Sequence, residues 1–494
     1  MQRLMTWRER AAGLLQPLAR GVTAVVAAAF GLLLGREIVS PHWTRPVTFV
    51  GIGLQSLLIL ANPVLGLLTW LVISPFGRFT HQVIVMGRGV PDLTLDRLAV
   101  GLLVALVLAQ LATGLRRRVP LGKVGFFGLL YVVGMGLSTT TSLLNRSTAV
   151  QSWFDGWLVP FLIFLLAKNL ITNRQDLRAG MHALIISALY LSLLAVREQL
   201  TGDIWFYPPD RTVIYTRDVR RVVGLLGNPA FIALSINLAV PLVAYLLVTA
   251  RSLRRRLVYL VILATLGAGT FMCYNRSGWA GFVVSLLVMG AFSPRFRKYL
   301  VPALIAAGVI LAVAGAAIVA DPRISERLFA QGPIEYRRGA LSVAVAMLRD
   351  HPWAGVGFSN YLFYYTRYAY WDPHLIALPS PHNSYLAVAV GAGLPVAICY
   401  VLMFVFFFTG TWGLYRRASD YTFPDRTMIA AVWGAVAQYL VAGLAMDALI
   451  GLYPTMLLHL LMGMVLGAWQ GRVIPPLGLP ERGEGQGAWR RGGY

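Results

Sequence analysis

His382, a histidine that could act in catalysis, lies just before a long apolar run in PSPHNSYLAVAVGAGLP (379–395). Its side chain accepts a proton near neutral pH, and Pro379 and Pro381 limit the freedom of the backbone that carries it. These properties suit a general base. The residue types alone leave a second interpretation open, in which the histidine caps a helix that begins near Ser384.

An arginine, Arg337, is predicted to point to the buried side of a helix. GPIEYRRGALSVAVAMLRDHP (332–352) has a proline suited to the first turn and a stop at its last proline. On a helical wheel Arg337 falls in line with Leu341, Ala344 and Leu348, whereas the opposite stripe is formed by Glu335, Arg338, Ser342 and Arg349. A buried guanidinium keeps its charge and needs an anion, either a protein carboxylate or a ligand phosphate. A salt bridge or a snorkelling side chain remains the structural alternative.

A second basic cluster lies in TRDVRRVVGLLGNPAF (216–231), which contains Arg217, Arg220 and Arg221. Asn228 at the N-cap and Pro229 at the first helical position would leave free N–H groups and the positive dipole end facing anions. Arg276, in CYNRSGWAG, lies between two apolar runs joined by a very short loop. Contact with lipid headgroups is the alternative for each cluster.

These residues are carried by a chain that is predicted to be an all-α, polytopic membrane protein. Of its 494 residues 57% are hydrophobic and 13% charged, more apolar surface than one water-soluble core hides. Its two cysteines lie in apolar stretches, which argues against a disulfide framework or a cysteine metal site. We predict about 14 transmembrane helices (12–14), at 21–39, 47–61, 62–76, 97–115, 123–142, 156–172, 179–199, 229–250, 257–275, 277–292, 300–320, 384–410, 428–447 and 452–470. The stretch 47–76 is divided at Asn62-Pro63, a helix breaker.

The distribution of basic residues predicts the orientation. The net charge of +23 arises from clusters between apolar runs, including all three lysines, as the positive-inside rule requires, and does not indicate nucleic-acid binding. The two long outer loops are where chemistry is expected. The predicted parts are a cytoplasmic N-terminus (1–20), membrane helices (21–199), an outer loop with the arginine cluster (200–228), membrane helices (229–320), a large outer catalytic loop with helical structure (321–383), C-terminal membrane helices (384–470) and a disordered cytoplasmic tail (471–494).

Four motifs in order resemble the O-antigen ligase and O-antigen polymerase superfamily of bacterial envelope glycosyltransferases. They are RVVGLLGNP, NRSGW, HPWAGVGFSNY and HNSYLAVAVGAGLP, and the resemblance covers roughly residues 217–410. Each motif alone is weak, but the order and spacing are more specific. One position departs from the family, in which a glutamate often stands nine residues after the histidine of the HN motif. Gly391 occupies that place here.

The resemblance implies transfer of a glycan from undecaprenyl diphosphate to a sugar hydroxyl, on the lipid A core or on another lipid-linked repeat unit. It implies a GT-C-like fold in the bacterial inner membrane, an active site facing the periplasm, inversion, and neither a metal ion nor another cofactor. Neither outer loop contains an Asp-x-Asp pair to hold a metal. Besides donor and acceptor, the expected partners are membrane lipids. Arg221, Arg276 and Arg337 match family positions that would clamp the diphosphate, His382 would be the base, and the further candidates are Arg217, Arg220, Arg338, His351 and Asn383.

A flippase or exporter of lipid-linked oligosaccharide is the alternative function. A transporter is expected to line a central cavity with charge at mid-membrane depth, whereas the candidates here gather in outer loops and at helix ends. Asp447 and His459 are the ionisable groups predicted within or at the end of spans. Each has either a functional role or a structural one, in which they pair with each other or cap the backbone.

Overall fold

A computed structural model describes residues 44–79, 94–116, 118–203, 214–216, 219–302, 305, 332–369, 380–418 and 424–473. The predicted span 21–39, most of the span 300–320, and residues 474–494 of the tail lie outside these residues. The final helix continues to Val473, slightly beyond the predicted start of the tail.

The described chain is built almost entirely from helices, in agreement with the predicted all-α class. The exception is one short antiparallel hairpin, in which Ile214 pairs with Arg221. In chain order the elements are α1 (Thr44–Ala61), α2 (Pro63–Ile73), α3 (Leu95–Ala112), α4 (Gly122–Ser138), α5 (Arg146–Trp153), α6 (Val159–Leu170), α7 (Arg174–Thr201), β1 (Ile214–Thr216), β2 (Val219–Arg221), α8 (Pro229–Thr249), α9 (Leu253–Met272), α10 (Arg276–Phe292), α11 (Gly332–Asp350), α12 (Tyr361–Tyr368), α13 (Ser384–Ala392), α14 (Leu394–Arg417), α15 (Arg426–Ala442) and α16 (Leu452–Val473).

Asparagine–proline pairs begin two of these helices as the sequence predicts. The break at Asn62 separates α1 from α2, and the Asn62 side chain accepts a hydrogen bond from the Leu65 N–H at 3.1 Å. Asn228 caps α8 in the same way, accepting from the Ala230 N–H at 2.9 Å, with Pro229 at the first helical position. A side-chain acceptor at the N-cap satisfies a backbone donor that the helix leaves unpaired. Both predictions are confirmed.

Seven described helical segments are long and apolar enough to cross a membrane by length and composition. They are Gly122–Thr141, Arg146–Leu170, Arg174–Thr201, Pro229–Thr249, Leu253–Met272, Leu394–Arg417 and Leu452–Gln470, and the shorter apolar helices are Val50–Ala61, Pro63–Phe76, Arg276–Phe292 and Arg426–Ala442. These segments are consistent with a polytopic membrane protein. The count of about 14 spans and the GT-C-like classification stay predictions.

Helix α8 lies at the centre of the described bundle. It packs against α7, α9, α10, α15 and α16, and nearly all of its side chains from Ile232 to Tyr245 are buried. Such all-round burial requires a helix without a polar face. The polar exception is Asn237, which donates to the Gly278 carbonyl at 2.8 Å and accepts from Thr270 Oγ1 at 2.9 Å. These bonds connect α8 to α9 and α10.

A smaller hydrophobic cluster joins the three helices around the HN motif. Helix α11 packs against α12 and α13, and the buried side chains at their junction are Val343, Ala344, Met347, Val356, Tyr361, Tyr365, Ala369 and Val390. The Tyr361 hydroxyl donates to the Ala340 carbonyl at 2.9 Å and so connects α12 to α11. This cluster gives α11 a fixed position relative to α13.

The segment after α11, which contains most of the HPWAGVGFSNY motif, connects this cluster to the main bundle. The Val356 N–H donates to the Val390 carbonyl at 2.7 Å, and the Phe358 N–H donates to the Ser138 carbonyl at 3.1 Å. The buried Asn360 side chain donates to the Thr141 carbonyl at 2.8 Å. The motif residues therefore have a structural role, because they hold the cluster of α11, α12 and α13 against the end of α4.

The predicted span 384–410 is wrong as one continuous helix. The chain breaks at Gly393, where φ is 90° and ψ is 165°, and α13 and α14 are separate helices. That backbone conformation is almost restricted to glycine. A Cβ atom at this position would collide with the Trp353 carbonyl, so the close approach of the HPWAG segment also requires glycine.

Gly393→Ala is expected to destabilise the protein by at least about 2 kcal/mol, because the residue would combine a strained backbone with an overpacked contact. Thermal unfolding of the purified protein in detergent measures the change. Gly410→Ala in α14 is the matched control, since a Cβ there meets nothing within 4 Å. Equal unfolding temperatures for the two variants would contradict the assignment of Gly393 as a required break.

Candidate functional site

His382 lies on a strained and well-anchored turn. Its φ is 50°, in the left-handed region that non-glycine residues rarely adopt. Its backbone N–H donates to Ser380 Oγ at 3.4 Å, and Pro381 beside it is buried. Such strain persists only where the surroundings enforce the conformation, and it is concentrated at functional positions.

Asn383, and not His382, caps α13. Its side-chain oxygen accepts from the N–H groups of Tyr385 at 3.0 Å and Leu386 at 3.1 Å. The interpretation of the histidine as a helix cap is therefore wrong, because the neighbouring amide already supplies the acceptor. Among the residues that the structure describes, none forms a hydrogen bond with the His382 imidazole.

The residues after His382 are fixed to the linker between α15 and α16. The Ser384 N–H donates to the Gly443 carbonyl at 2.8 Å, and its hydroxyl accepts from the Ala448 N–H at 2.9 Å. The Asn383 amide donates to the Leu444 carbonyl at 3.1 Å. These bonds hold the imidazole in place by fixing the backbone on its C-terminal side.

Arg337 lies on the buried face of α11, as the helical wheel predicts. Its side chain is half-buried, and the next residues on its stripe, Ala340, Ala344 and Met347, are fully buried. Leu341 is 43% exposed, so its predicted place on the buried stripe is wrong. The buried face of α11 is rotated by about one residue from the predicted stripe, since Gly339 and Ala340 are buried and Leu341 is not. In the described part of the chain, no carboxylate forms an ion pair with Arg337.

Arg276 is the first residue of α10, after a three-residue turn from α9. The predicted short connection is confirmed. It is tightened by Tyr274 at a φ of 45° and by Asn275, whose side chain accepts from the Gly278 N–H at 2.7 Å. The helix N-terminus adds positive potential to the half-buried Arg276 side chain.

Arg221, at the end of β2, lies beside the same turn. The buried carboxylate of Glu198 accepts from the N–H groups of Val223 at 2.8 Å and Gly224 at 2.9 Å, which fixes the chain directly after Arg221. Burial raises the pKa of the Cys273 thiol to about 12, and the charge of Arg221 opposes that rise. This interaction places the guanidinium of Arg221 near the turn that carries Arg276.

Electrostatic interactions connect the cationic residues to the histidine. Burial lowers the pKa of the Arg337 guanidinium, and the charge of Arg276 lowers it further. Burial also lowers the pKa of the His382 imidazole, with Arg337 contributing in the same direction. The structure thus brings Arg276, Arg337 and His382 together, with Arg221 near Arg276. A cluster of guanidinium groups is suited to a multiply charged anion.

We expect the pKa of His382 to lie below the ordinary histidine value of about 6.5, and Arg337→Met to raise it. The variant removes the positive charge but not the burial, so the pKa should stay below the ordinary value. NMR titration of histidine-labelled protein, with the signal assigned by loss in His382→Gln, measures both values. Because a lowered pKa keeps the imidazole neutral, the base remains available at and somewhat below neutral pH. An unchanged pKa in Arg337→Met would contradict the proximity of the two groups.

The other predicted residues are placed less centrally. Arg338 is exposed on the opposite side of α11, and His351 is exposed at its end, with its ring 6.3 Å from that of Tyr364. Arg220 pairs with Tyr215 through the backbone of the hairpin. Its side chain and the whole of Arg217 lie outside the described residues.

Asp447 and His459 are buried but do not pair with each other. Asp447 hydrogen-bonds to Ser380 and to the backbone of Leu449, and His459 Nδ1 lies 2.8 Å from the Thr455 carbonyl. Asp447 thus contacts the segment that carries His382, whereas His459 is satisfied within α16. Within the described ranges, no three side chains of His, Cys, Asp or Glu form a group that could hold a metal ion.

Residues 261–401 match the family model described as O-antigen ligase. The predicted resemblance to this family is confirmed over these residues. The matched segment contains Arg276, Arg337, His382 and Gly393, whereas Arg221 and Asp447 lie outside it. Comparison with curated proteins gives no match. The resemblance therefore rests on the segment that contains two of the arginines and the histidine.

Proposed function

We propose that the protein transfers a glycan from undecaprenyl diphosphate to a sugar hydroxyl, as an inverting glycosyltransferase of the O-antigen ligase or polymerase type. The acceptor is the lipid A core or another lipid-linked repeat unit. The reaction takes place at the periplasmic face of the bacterial inner membrane, with both chain termini in the cytoplasm. The match to the O-antigen ligase family model supports this class of enzyme.

The observation that carries the proposal is the proximity of an arginine cluster to a histidine with a lowered pKa. Arg276 and Arg337 form a cationic patch with Arg221 near it, and His382 stands at its edge with a lowered pKa. A diphosphate leaving group needs fixed positive charge, and an attacking alcohol needs a neutral base. Arg276, Arg337 and His382 all lie within residues 261–401, the segment that matches the O-antigen ligase family model.

In the proposed reaction the arginines bind the diphosphate of the donor. His382 accepts the proton of the acceptor hydroxyl while that oxygen forms a bond to the anomeric carbon. The bond from the anomeric carbon to the diphosphate oxygen breaks on the opposite side, and undecaprenyl diphosphate departs with the electron pair. Guanidinium groups stabilise the departing charge by bidentate hydrogen bonds, so the proposal requires no metal ion.

Three ionisable groups buried within described helices give the transport alternative little support. The Lys168 ammonium donates to the carbonyls of Pro120 at 2.6 Å and Leu121 at 2.8 Å. The Glu198 carboxylate accepts from two backbone N–H groups, and His459 lies 2.8 Å from a backbone carbonyl of its own helix. Each of the three serves local structure and is not left to line a translocation path.

Product sizing tests the proposal and separates its two acceptors. Purified protein is incubated with a labelled undecaprenyl-diphosphate-linked glycan, first alone and then with lipid A core. Longer carrier-linked chains from donor alone would identify a polymerase, and transfer only after addition of lipid A core would identify a ligase. Unchanged donor under both conditions would refute the proposed transferase.

A further inference from the structure

A partly open cavity lies behind the turn that carries His382. It has a volume of about 120 Å³, well above the roughly 10–15 Å³ that one water needs. Its walls come from five separate parts of the chain. Among the lining residues are Trp157, Phe358, Tyr361, Ser380, Gly391 and Asp447.

An acceptor group, the Asp447 carboxylate, lies on one wall. The residue is only 9% exposed, and its carboxylate interacts with the side chain of Ser380, which lies two residues before His382. Burial raises the pKa of Asp447 to about 7. A carboxylate has room for about four hydrogen bonds, so the contacts with Ser380 and Leu449 leave capacity for a further donor.

A donor group, the Trp157 indole N–H, lies on another wall. Its Nε1 atom is buried beside the Tyr131 hydroxyl, and neither atom has a hydrogen bond of good geometry with a described residue. Trp157 belongs to a single π-helical turn, Phe154–Leu158, between α5 and α6. Such turns are frequent at functional sites, and a buried donor that is poorly satisfied calls for an explanation.

The remaining walls are aromatic or lack a side chain. The rings of Trp157 and Phe358 are 5.1 Å apart, and Tyr361 lies on the same cavity. At Gly391 an added Cβ would meet no atom closer than Met135 Cε at 4.0 Å, so this position keeps space open. Aromatic walls with one donor and one acceptor form a surface suited to a sugar ring, which has apolar faces and hydroxyl edges.

We propose that this cavity binds one sugar ring of the acceptor, with Trp157 Nε1 donating to a ring hydroxyl or ring oxygen and Asp447 accepting from a hydroxyl. The assignment rests on the proposed function. The acceptor is favoured over the donor because none of the three arginines lines the cavity, whereas Ser380 and Pro381, which lead directly to the base, do. A ring held there would bring a neighbouring hydroxyl towards His382.

Three variants of the full-length protein in nanodiscs test this site. Trp157→Phe keeps the ring and deletes the N–H, Asp447→Asn keeps the shape and deletes the charge, and Gly391→Leu fills the open wall. Steady-state kinetics with a labelled undecaprenyl-diphosphate glycan are measured against lipid A core, or against a carrier-linked repeat unit if only that supports transfer. We expect the acceptor KM to rise about tenfold or more in each variant, with the donor KM unchanged.

Gly410→Leu is the matched control for Gly391→Leu, since it adds the same side chain in a helix where nothing lies within 4 Å. A rise in donor KM instead would overturn the acceptor assignment, and unchanged KM values in the three variants would overturn the site. Binding of each acceptor without donor is measured in parallel. That measurement tests acceptor binding in the cavity even if the wild type transfers nothing. Equal acceptor binding by wild type and variants, or no acceptor binding at all, would refute the proposed pocket.

Discussion

His382→Ala is expected to reduce glycan transfer by about 10²- to 10⁴-fold, the range that a positioned general base contributes. Burial lowers the pKa of the imidazole, and the charge of Arg337 lowers it further. The imidazole lies on a turn fixed by Ser380 and Ser384. Removing it leaves the cationic patch intact, so binding of the donor should change little. Single-turnover transfer with saturating donor measures the rate of the chemical step, and equilibrium binding of labelled donor measures the donor affinity.

His182→Ala serves as the control for the histidine change. This exposed histidine lies on α7 and bonds the Arg178 carbonyl of its own helix, so its removal should leave transfer unchanged. Unfolding temperature confirms that the His382 variant is folded. A His382→Ala protein that binds donor and transfers glycan at the wild-type rate would remove the base from the proposed mechanism.

Arg337→Met is the second change with a large expected effect, a loss of about 10²- to 10³-fold in transfer. Removing one preorganised donor to a developing negative charge typically has this size. The loss should appear in the rate and in donor affinity, because the diphosphate is charged both before and after the bond breaks. Single-turnover rates and donor binding, measured as for the histidine variant, give the two contributions.

Two further variants define what Arg337 contributes. Arg337→Lys keeps the charge but loses the bidentate geometry, and we expect partial recovery relative to Arg337→Met. Arg349→Met removes an exposed arginine from the end of the same helix, and should leave transfer unchanged. Equal losses in Arg337→Met and Arg349→Met would indicate a general effect of net charge and would contradict a specific diphosphate contact.

Local signals in the sequence were sufficient to predict the helical class, several helix ends and the orientation of Arg337. Asn62 and Asn228 precede prolines, and both cap helices because the amide replaces a missing acceptor. The side of α11 on which Arg337 lies follows from the helical period alone. Such features depend on neighbours within a few residues, which a sequence displays directly.

Features set by distant parts of the chain were not predictable. Gly393 and Pro395 are local signals of the break between α13 and α14, but the close approach of the Trp353 carbonyl to Gly393 is not visible in the sequence. The alternative of a histidine cap is wrong because Asn383 supplies the acceptor, and the positive φ of His382 likewise has no signal in the sequence. The hairpin before α8 consists of two three-residue strands, too short for a periodic signal.

The cavity behind His382 had no recognisable signal in the sequence. Trp157 and Asp447 lie far apart in the chain and come to the same cavity only in the folded protein. The sequence marks Asp447 as an ionisable residue at the end of a span, but its proximity to Ser380 has no local signal. A tryptophan in an apolar run ordinarily lies at the membrane interface, so its type does not predict a buried indole N–H beside a cavity.

The most direct test of the proposed transfer reaction measures the fate of the undecaprenyl-diphosphate carrier. Purified wild-type protein is reconstituted with a donor that is labelled in both lipid and glycan, together with the acceptor that supports transfer. We expect release of free undecaprenyl diphosphate in equal amount to the glycan that appears on the acceptor, and a loss of about 10²-fold or more in both products with Arg337→Met or His382→Ala. A donor that stays intact while its glycan moves from one side of the bilayer to the other would contradict the account and would identify a transporter.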